Sequence, residues 1–368
     1  MSNTSLPAQS ANTFQSITMC NEFKREGINI IYLFPKLTPL KDKEILNIEK
    51  LINSKINFEF KNIFSIQLTF LKRINEKLWF LIKNTTFRFG LFLFLIRNSK
   101  VNIYSRDLGS LRMIIFLKRL PFFKIKLFFE LHQYKRRHVT SLKQCDKLIV
   151  INNNLKKVIS QNLNKEILIA HDGVNLEEFT ALDFKNNLNK SLNILYTGSF
   201  FKWKGVDIII KAAKICNDSQ FKLIGGDENQ INRLNQLITE YKLNNVELIL
   251  KIDRKRLLRY IKDADILLLP NTDDKINKWT SPIKLFEYMA SKRIIISSKI
   301  DSLQEIIDEN SAVFFFPNSH EDLAAKITYL SKNYDVRMVK NAFDNVKKYS
   351  WNQRAKNIKS FLGEYSSI

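Results

Sequence analysis

Lys284 and Glu287 are the two residues whose types and spacing most clearly point to chemistry. Because they are three positions apart, they share one face of a helix. On that face a lysine can hold a phosphate, and a carboxylate can accept hydrogen bonds from two ribose hydroxyls. The simpler alternative is an ion pair between the two on a solvated helix. Ser281 and Pro282 precede them and are typical of a helix start.

Two short apolar runs must position this helix. Residues 263–270 end in a proline, and residues 293–298 follow the helix; each run is short enough for a buried strand. Strand, polar loop, helix and strand together form a parallel crossover unit. The loop and the first helical turn then lie at the carboxyl edge of the sheet, where open α/β sheets bind ligands.

A glycine loop upstream could bind an anion. The loop from Gly198 to Gly205 follows an apolar strand at 192–197 and leads into a helix. Its backbone N–H groups and the helix N-terminus can therefore point at the same bound anion. Lys204 adds a full positive charge. Alone, such a loop is an ordinary strand-to-helix turn; together with the Lys284–Glu287 helix it predicts a phosphate site.

These segments resemble glycosyltransferase family 4, the retaining GT-B sugar transferases. Residues 281–290 are similar to its donor-site signature, residues 196–205 to its diphosphate loop and residues 171–179 to its interdomain segment. Glu130-Leu131-His132 resembles the turn that carries the family's active-site histidine. The four motifs occur in the family's order within residues 100–360. The resemblance implies an α/β protein of GT-B fold, with two Rossmann-like, doubly wound domains facing a central cleft.

The resemblance also implies roles for individual residues. His132 and Glu287 would be catalytic, and Asn12 and Arg106 would lie on the acceptor side. The expected donor-binding residues are Gly198, Ser199, Lys204, Gly205, Gly225, Ile252, Ser281, Pro282, Lys284, Leu285 and Glu287. For His132, a satisfied structural histidine is the alternative.

Two positions depart from the family's pattern. Ser199 stands where an arginine is common, and a hydroxyl can bond a phosphate without neutralising it. Trp279 stands where the commoner form has a second glutamate, eight positions before Glu287. Contacts to the donor sugar would then come from backbone amides near residues 280 and 281.

The predicted chemistry needs no metal and no cofactor besides the nucleotide-diphosphate sugar as co-substrate. Asp273 and Asp274 are adjacent on a loop and do not form an aspartate-x-aspartate motif. In the family's retaining members the leaving diphosphate helps to deprotonate the acceptor, so the protein supplies positioning and electrostatic stabilisation. The expected reaction is transfer of a hexose to a glycan or lipid-linked acceptor, in surface polysaccharide or glycolipid synthesis. The base and the sugar stay open.

Two alternatives to this function remain at this point. The first is a GT-B nucleotide-sugar epimerase, against which the motif at 281–290 argues. The second is a catalytically impaired GT-B protein that binds a membrane or a nucleic acid, motivated by Ser199, Trp279 and a short N-terminus.

Alternating strands and helices predict parallel, doubly wound sheets. We predict an acceptor-binding domain over 1–171, a nucleotide-sugar domain over 172–345 and a helix within 346–368 that crosses back to the first domain. A helix is expected over 13–27 after a loop at 10–13, a strand over 28–34 and mainly helix over 43–100. The first strand is predicted to be missing or short, with residues 1–6 a poor substitute.

Charge is concentrated in one stretch of this chain of net charge +23. Residues 51–150 hold 20 Lys and Arg and five Asp and Glu, a net charge of +15. Interleaved with large apolar residues, these charges suit an anionic membrane surface; solvated lysines around buried elements are the alternative. Nucleic acid is not expected as a partner because no recognition motif accompanies the charge.

The longest apolar run and the cysteines indicate where in the cell the protein is expected. The longest apolar run, near residues 89–96, is far shorter than the roughly 20 residues of a spanning helix. Cys20, Cys145 and Cys216 are scattered, which predicts neither a disulfide framework nor a zinc site. We therefore expect a cytoplasmic protein, peripheral on the inner face of the cell membrane.

Overall fold

The structure, a computed structural model, describes residues 1–8 and 10–363 and divides into two compact units. The first unit comprises Met1–Ala170 and the segment from Trp351 onward, and the second comprises His171–Ser350. Each unit contains parallel β-structure with helices in its connections, as predicted for an α/β fold.

The described residues form twelve strands and fifteen α-helices. The strands are β1 Ile31–Pro35, β2 Glu59–Ile63, β3 Lys100–Ser105, β4 Lys124–Leu131, β5 Lys147–Val150, β6 Ile167–Ile169, β7 Asn193–Thr197, β8 Gln220–Ile224, β9 Val246–Ile249, β10 Ile266–Leu269, β11 Ile294–Ser298 and β12 Val313–Phe315. The helices are α1 Ala11–Arg25, α2 Asp42–Ile52, α3 Thr69–Ile74, α4 Glu76–Arg97, α5 Leu111–Lys118, α6 Val139–Leu142, α7 Asn153–Ser160, α8 Val206–Ile215, α9 Glu228–Glu240, α10 Arg254–Asp263, α11 Ile283–Ala290, α12 Asp301–Gln304, α13 His320–Lys332, α14 Val336–Val346 and α15 Trp351–Leu362.

The second unit is built on one parallel sheet of order β12-β11-β10-β7-β8-β9. Strands β10 and β11 are buried throughout, since helices cover both faces of a parallel sheet. Alternate side chains of these strands enter two separate cores, one on each face. The chain leaves β7 in one direction towards β9 and later crosses to β10 on the other side of β7. The strand order therefore reverses between β7 and β10.

The first unit contains a parallel sheet of order β3-β4-β5-β6 and a parallel pair formed by β1 and β2. No strand is assigned within residues 1–8, but this segment bonds to both sheets. The N–H of Ser2 donates to Leu33 O at 3.1 Å in β1, and the amino group of Met1 donates to Tyr104 O at 2.8 Å in β3. Helix α15 also belongs to this unit, where Trp351 packs edge-on against Phe14 of α1.

Several predicted elements need correction. Helix α1 begins at Ala11, with Ser10 as its cap, so Asn12 lies in the first helical turn and not in a loop. Residues 43–100, expected to be mainly helical, contain strand β2. Polar residues dominate β2, so its sequence does not show the apolar pattern by which a strand is usually predicted. Helix α11 begins at Ile283, after an extended Pro282; the hydroxyl of Ser281 does not cap it but accepts the N–H of Asp172 at 2.9 Å.

Helix α4 corrects the prediction that no segment is long enough to cross a membrane. Its 22 residues are long and apolar enough to do so by length and composition, although one third of its most apolar stretch is buried in the protein. The prediction counted only uninterrupted apolar residues. The helix also contains Lys83 and Asn84, which lie on its buried side.

Candidate functional site

The loops that follow β7 and β10 define the candidate site. These strands are neighbours, with Ile194 opposite Ile266 and Leu195 opposite Leu267. Because they are parallel, the loop at 198–205 and the loop at 270–282 leave the same edge of the sheet. This is the carboxyl edge at the point where the strand order reverses, the usual ligand position in open α/β sheets.

Close backbone packing explains the glycines at this edge. Gly205 has φ +73°, and a Cβ there would lie 1.8 Å from Pro270 O at the end of β10. A Cβ on Gly225 would lie 1.9 Å from Gly198 O. Larger residues at either position would push the loops after β7, β8 and β10 apart.

Hydrogen bonds join the loops that follow β7 and β10. Trp203 O accepts the Thr272 N–H at 3.2 Å and the Asn277 amide at 2.9 Å. Beneath them, the N–H of Thr197 donates at 2.8 Å to the hydroxyl of Tyr288, which is buried in helix α11. The glycine loop and the helix that carries Glu287 are therefore held in a fixed relation.

Lys204 lies half-buried in the short 3₁₀ turn Lys202–Lys204, directly before helix α8. Within the described part of the chain it forms no ion pair, and its Nζ lies 4.2 Å from the centre of the Trp203 ring. Burial lowers the pKa of Lys204 to about 8. An ammonium that lacks a carboxylate partner beside a helix N-terminus is suited to bind an anion.

Glu287 is buried and surrounded by cations. Its Oε1 forms an ion pair with the Arg254 guanidinium, and its Oε2 lies 2.7 Å from Lys284 Nζ. Burial alone would raise the pKa of Glu287, but Arg254 and Lys284 hold it below its usual value. Besides its contact with Lys284, Oε2 can accept a further hydrogen bond, because an ionised carboxylate offers about four lone-pair sites on its two oxygens.

Arg254 was missed by the sequence reasoning. It is the first residue of α10, a position where the helix dipole disfavours a cation, so its partners must hold it there. Its Nε donates to Glu178 Oε2 at 2.7 Å, and a second guanidinium nitrogen pairs with Glu287. The polar sequence before α10 carried no signal of this contact, because both carboxylates are distant in sequence.

Three other predicted donor residues differ in whether the structure leaves them accessible to a ligand. Ser199 lies on the glycine loop, and its carbonyl accepts the hydroxyl of Tyr196 at 2.9 Å. Leu285 is wholly buried in the core, so its side chain is not available to a ligand. Ile252 is partly buried and packs against the same core.

In the first unit, Arg106 and His132 meet at the carboxyl ends of β3 and β4. Arg106 donates to His132 Nδ1 at 3.1 Å, and His132 Nε2 lies 2.5 Å from Glu130 Oε1. Since a guanidinium can only donate, Nδ1 accepts and Nε2 carries the proton. Burial and the Arg106 charge lower the pKa of His132 to about 4 against the opposing effect of Glu130. His132 is therefore neutral at pH 7, with both ring nitrogens engaged.

Glu130 is the centre of this cluster, a role that its motif did not predict. Besides His132, it accepts Gln15 at 3.3 Å, the hydroxyl of Tyr104, and Arg354 of α15 at 3.0 Å. Burial would raise the pKa of Glu130, but Arg354 and the other donors hold it well below its usual value. Apart from His132, two positions away, the partners lie on α1, β3 and α15, far from Glu130 in sequence.

The two remaining predictions concern Asn12 and metals. Asn12 is exposed on α1 and donates to Thr4 Oγ1 at 2.9 Å, apart from the contacts of Arg106. Across residues 1–8 and 10–363, no group of three or more His, Cys, Asp or Glu side chains is arranged to hold a metal ion. Asp273 and Asp274 are exposed, and Asp274 caps the 3₁₀ turn Lys275–Trp279.

Known proteins resemble this chain in sequence and in fold. Residues 178–345 match the family model described as glycosyl transferases group 1. An uncharacterised glycosyltransferase of Methanocaldococcus jannaschii is 26% identical over 60% of this chain and 60% of its own length. The amylovoran biosynthesis glycosyltransferase AmsK of Erwinia amylovora is 26% identical over 46% of this chain. The chain thus spans less than two thirds of these relatives, 60% and 42% of their lengths.

Among solved structures, Anabaena HepE in complex with UDP and glucose aligns with a TM-score of 0.73 at 12% identity, over 98% of each chain. This likeness confirms the predicted fold class, GT-B. The family model covers most of the unit that contains Lys204, Arg254 and Glu287. Residues 178–345 therefore form a domain of the glycosyl transferases group 1 family.

Proposed function

We propose that this protein is a glycosyltransferase that moves a hexose, with retention of configuration, from a nucleotide-diphosphate sugar to a glycan or lipid-linked acceptor. The observation that carries the proposal is the pairing of two loops at the switch point of the second unit. One loop brings an ammonium without a carboxylate partner, Lys204, and the other leads to a buried carboxylate that Arg254 and Lys284 hold ionised, Glu287.

The proposed donor pose follows from charge. The diphosphate lies over the glycine loop, where Lys204 and the N-terminus of α8 neutralise it. Glu287 Oε2 accepts a hydrogen bond from a ribose hydroxyl, while Arg254 and Lys284 keep this carboxylate ionised. Amides near Thr280 and Ser281 contact the sugar in place of the family's second glutamate, which is Trp279 here.

In the reaction, the bond between the anomeric carbon and the diphosphate oxygen breaks. The acceptor hydroxyl attacks the same face of the sugar, and its proton passes to the departing diphosphate. No metal takes part in this proposal, since Lys204 and the helix N-termini supply the positive potential. His132 contributes position and not proton transfer, because both of its nitrogens are already paired.

Two of the similar proteins support a nucleotide-sugar donor and a polysaccharide product. HepE was solved in complex with UDP and glucose, and AmsK is named for amylovoran biosynthesis. We propose UDP-sugars as the first donors to test, and a cytoplasmic location at the inner face of the cell membrane.

Titration calorimetry with a panel of UDP- and GDP-sugars tests the proposal. We expect saturable binding of one donor that Lys204→Ala and Glu287→Ala each abolish. The matched controls Lys332→Ala and Glu240→Ala change exposed residues of the same unit and should leave binding intact. Absence of binding by the folded wild-type protein would refute the transferase and favour a GT-B protein that has lost catalysis. The anomeric configuration of the product, read by NMR, tests retention.

A further inference from the structure

Helix α4 has an exposed apolar stripe on the side opposite to its buried face. The buried face carries Phe87, Leu91 and Leu95, each at most 1% exposed. Five of the six exposed large apolar side chains of α4 recur every three, four or eight residues, which places them on one face of the helix; they are Leu78, Leu81, Phe89, Leu93 and Ile96, whereas Phe80 lies on the other side. The helix is about 33 Å long by its residue count, and the stripe extends along most of this length.

The short helix α3 extends this stripe. None of its residues is buried, and it packs beside α4. Phe70 is 57% and Ile74 is 77% exposed. We name the combined surface the α3–α4 patch, defined by Phe70, Ile74, Leu78, Leu81, Phe89, Leu93 and Ile96. Seven exposed large apolar side chains on two neighbouring helices differ from the single exposed apolar residues of ordinary surfaces, and such groups mark a contact with a partner.

The charges around the patch indicate the partner's chemistry. Lys72, Arg73 and Lys77 are exposed among the apolar residues, with Glu76 as the acidic residue beside them. Trp79 is half-exposed, and the ammonium groups of Lys72 and Lys83 each lie 5.4 Å from its ring centre. Basic residues placed among large apolar side chains suit the interface of an anionic bilayer.

The packing of α4 favours a helix that lies on the bilayer over one that crosses it. On the buried side, Lys83 donates to Asn3 O at 2.9 Å, and Asn84 accepts the Asn3 amide at 2.5 Å. A Cβ on Gly90 would lie 2.6 Å from Phe64 O, so the helix backbone is in close contact with its own unit. Crossing the bilayer would expose these polar groups to lipid.

Charge makes a second copy of the chain a less suitable partner for the α3–α4 patch than an anionic bilayer. Residues 51–150 carry a net charge of +15, so two such surfaces would repel each other. We propose that the α3–α4 patch binds the surface of an anionic phospholipid bilayer, with its apolar side chains in the interface and Lys72, Arg73 and Lys77 at the headgroups. This inference goes beyond the transferase function and does not depend on it.

Flotation of the full chain with two kinds of vesicle tests the inference. Vesicles of phosphatidylcholine with 30% phosphatidylglycerol, about a third anionic lipid, should bind the protein, and pure phosphatidylcholine should bind it at least about tenfold more weakly. The variant Ile74→Ser/Leu81→Ser/Phe89→Ser should lose about tenfold or more of the affinity. The control Ile215→Ser/Phe316→Ser/Tyr329→Ser changes three exposed apolar residues of the second unit and should bind as the wild type does.

The charge variant Lys72→Gln/Arg73→Gln/Lys77→Gln gives a second, independent readout. It should reduce the preference for anionic vesicles and the dependence on salt. Wild-type protein that ignores anionic vesicles, or a patch variant that binds as tightly as its control, would overturn the proposal. It would also fail if light scattering showed that the patch variant only converts a dimer into monomers. Donor binding, measured in parallel, separates this failure from that of the transferase.

Discussion

Glu130 and Glu287 are both buried carboxylates paired with arginine, but only one of them is fully satisfied by its own unit. Glu130 accepts from Gln15, His132 and Arg354 on one oxygen and from Tyr104 on the other. Glu287 pairs with Arg254 through Oε1, and its buried Oε2 lacks a hydrogen bond of good geometry.

This difference separates a structural role from a binding role. A buried carboxylate that leaves an acceptor unused costs stability, unless a ligand or water completes it. Glu130 gives that capacity to residues of α1, β3 and α15 and to His132 after its own strand, and so holds these parts of the first unit together. Glu287 keeps part of it at the edge of the sheet where ligands bind. Variants in both units can test this contrast.

The largest expected effect is the loss of stability in Glu130→Gln. The substitution leaves Arg354, which is 3% exposed, and the nearby Arg106 without their counter-charge. Removing one partner of a buried ion pair typically costs about 3–5 kcal/mol. We expect the free energy of unfolding, measured in urea, to fall by that amount. A change below about 1 kcal/mol, the size of one ordinary neutral hydrogen bond, would show that Glu130 is not the centre of the cluster.

Glu287→Gln should weaken donor binding strongly and lower the free energy of unfolding less than Glu130→Gln does. Loss of a charge-assisted hydrogen bond to ribose costs about 1.5–3 kcal/mol, which is about 10- to 150-fold in donor affinity. The stability loss should be smaller than in Glu130→Gln, because Arg254 keeps its bond of 2.7 Å to Glu178. Calorimetry and urea unfolding on the same sample measure both quantities. Equal stability losses in the two variants would erase the proposed distinction.

The fold and the donor loops could be predicted from sequence because their signals are local. Buried runs such as 263–270, the glycine loop at 198–205 and the helix with Lys284 and Glu287 each occupy a few consecutive residues. The GT-B class followed from the resemblance of these motifs to those of glycosyltransferase family 4. The start of α11 was misplaced because Ser281 bonds to Asp172, which is 109 positions away.

The ion-pair networks could not be predicted, since they join residues distant in sequence. Arg354 reaches Glu130, and Arg254 reaches both Glu178 and Glu287. Similarly, the engagement of both nitrogens of His132 depends on Arg106, 26 positions earlier. A motif indicated that His132 matters, but only the three-dimensional arrangement shows that its ring is held as a neutral hydrogen-bonding group.

Titration of His132 should be visible in the stability of the protein. Its pKa of about 4 in the folded state lies below the ordinary value of 6.5. As the pH falls through 6.5, the unfolded chain therefore binds a proton that the folded protein does not. Stability present above pH 6.5 should be lost on acidification, by on the order of 1–3 kcal/mol. The contribution of Glu130 is lost only below its ordinary value of 4.5. Burial also lowers the pKa values of His138 and of the Met1 amino group, so a variant of His132 must separate its share of the loss in the window from pH 6.5 to 4.5.

Urea unfolding at several pH values tests this behaviour, with His132→Gln as the variant that cannot titrate. The wild-type free energy of unfolding should decline across the window, and the variant's should decline less. Parallel curves for the two proteins would mean that the folded His132 binds its proton as readily as the unfolded one does.

The smallest expected effect concerns the pH dependence of donor binding through Lys204. With a pKa of about 8, this ammonium is mostly charged at pH 7 and mostly neutral at pH 9. The terminal phosphate of UDP has a second pKa near 6, so the ligand's charge is nearly constant over that range. UDP affinity should therefore fall by up to about tenfold between pH 7 and pH 9, one pH unit on either side of the lysine pKa.

Two variants identify the lysine responsible for this fall in affinity. Lys204→Arg keeps its charge throughout and should bind UDP with little change across pH 7–9. Lys251, whose pKa is lowered by burial and by Lys284, is the other lysine that could produce the effect, so Lys251→Met should retain the wild-type profile. If Lys251→Met flattened the profile and Lys204→Arg did not, the anion-binding charge would lie near helix α11 and not on the glycine loop. The contrast between the units would still hold, because the second unit would still contain a cation that a ligand neutralises, whereas Arg354 in the first unit is paired with Glu130.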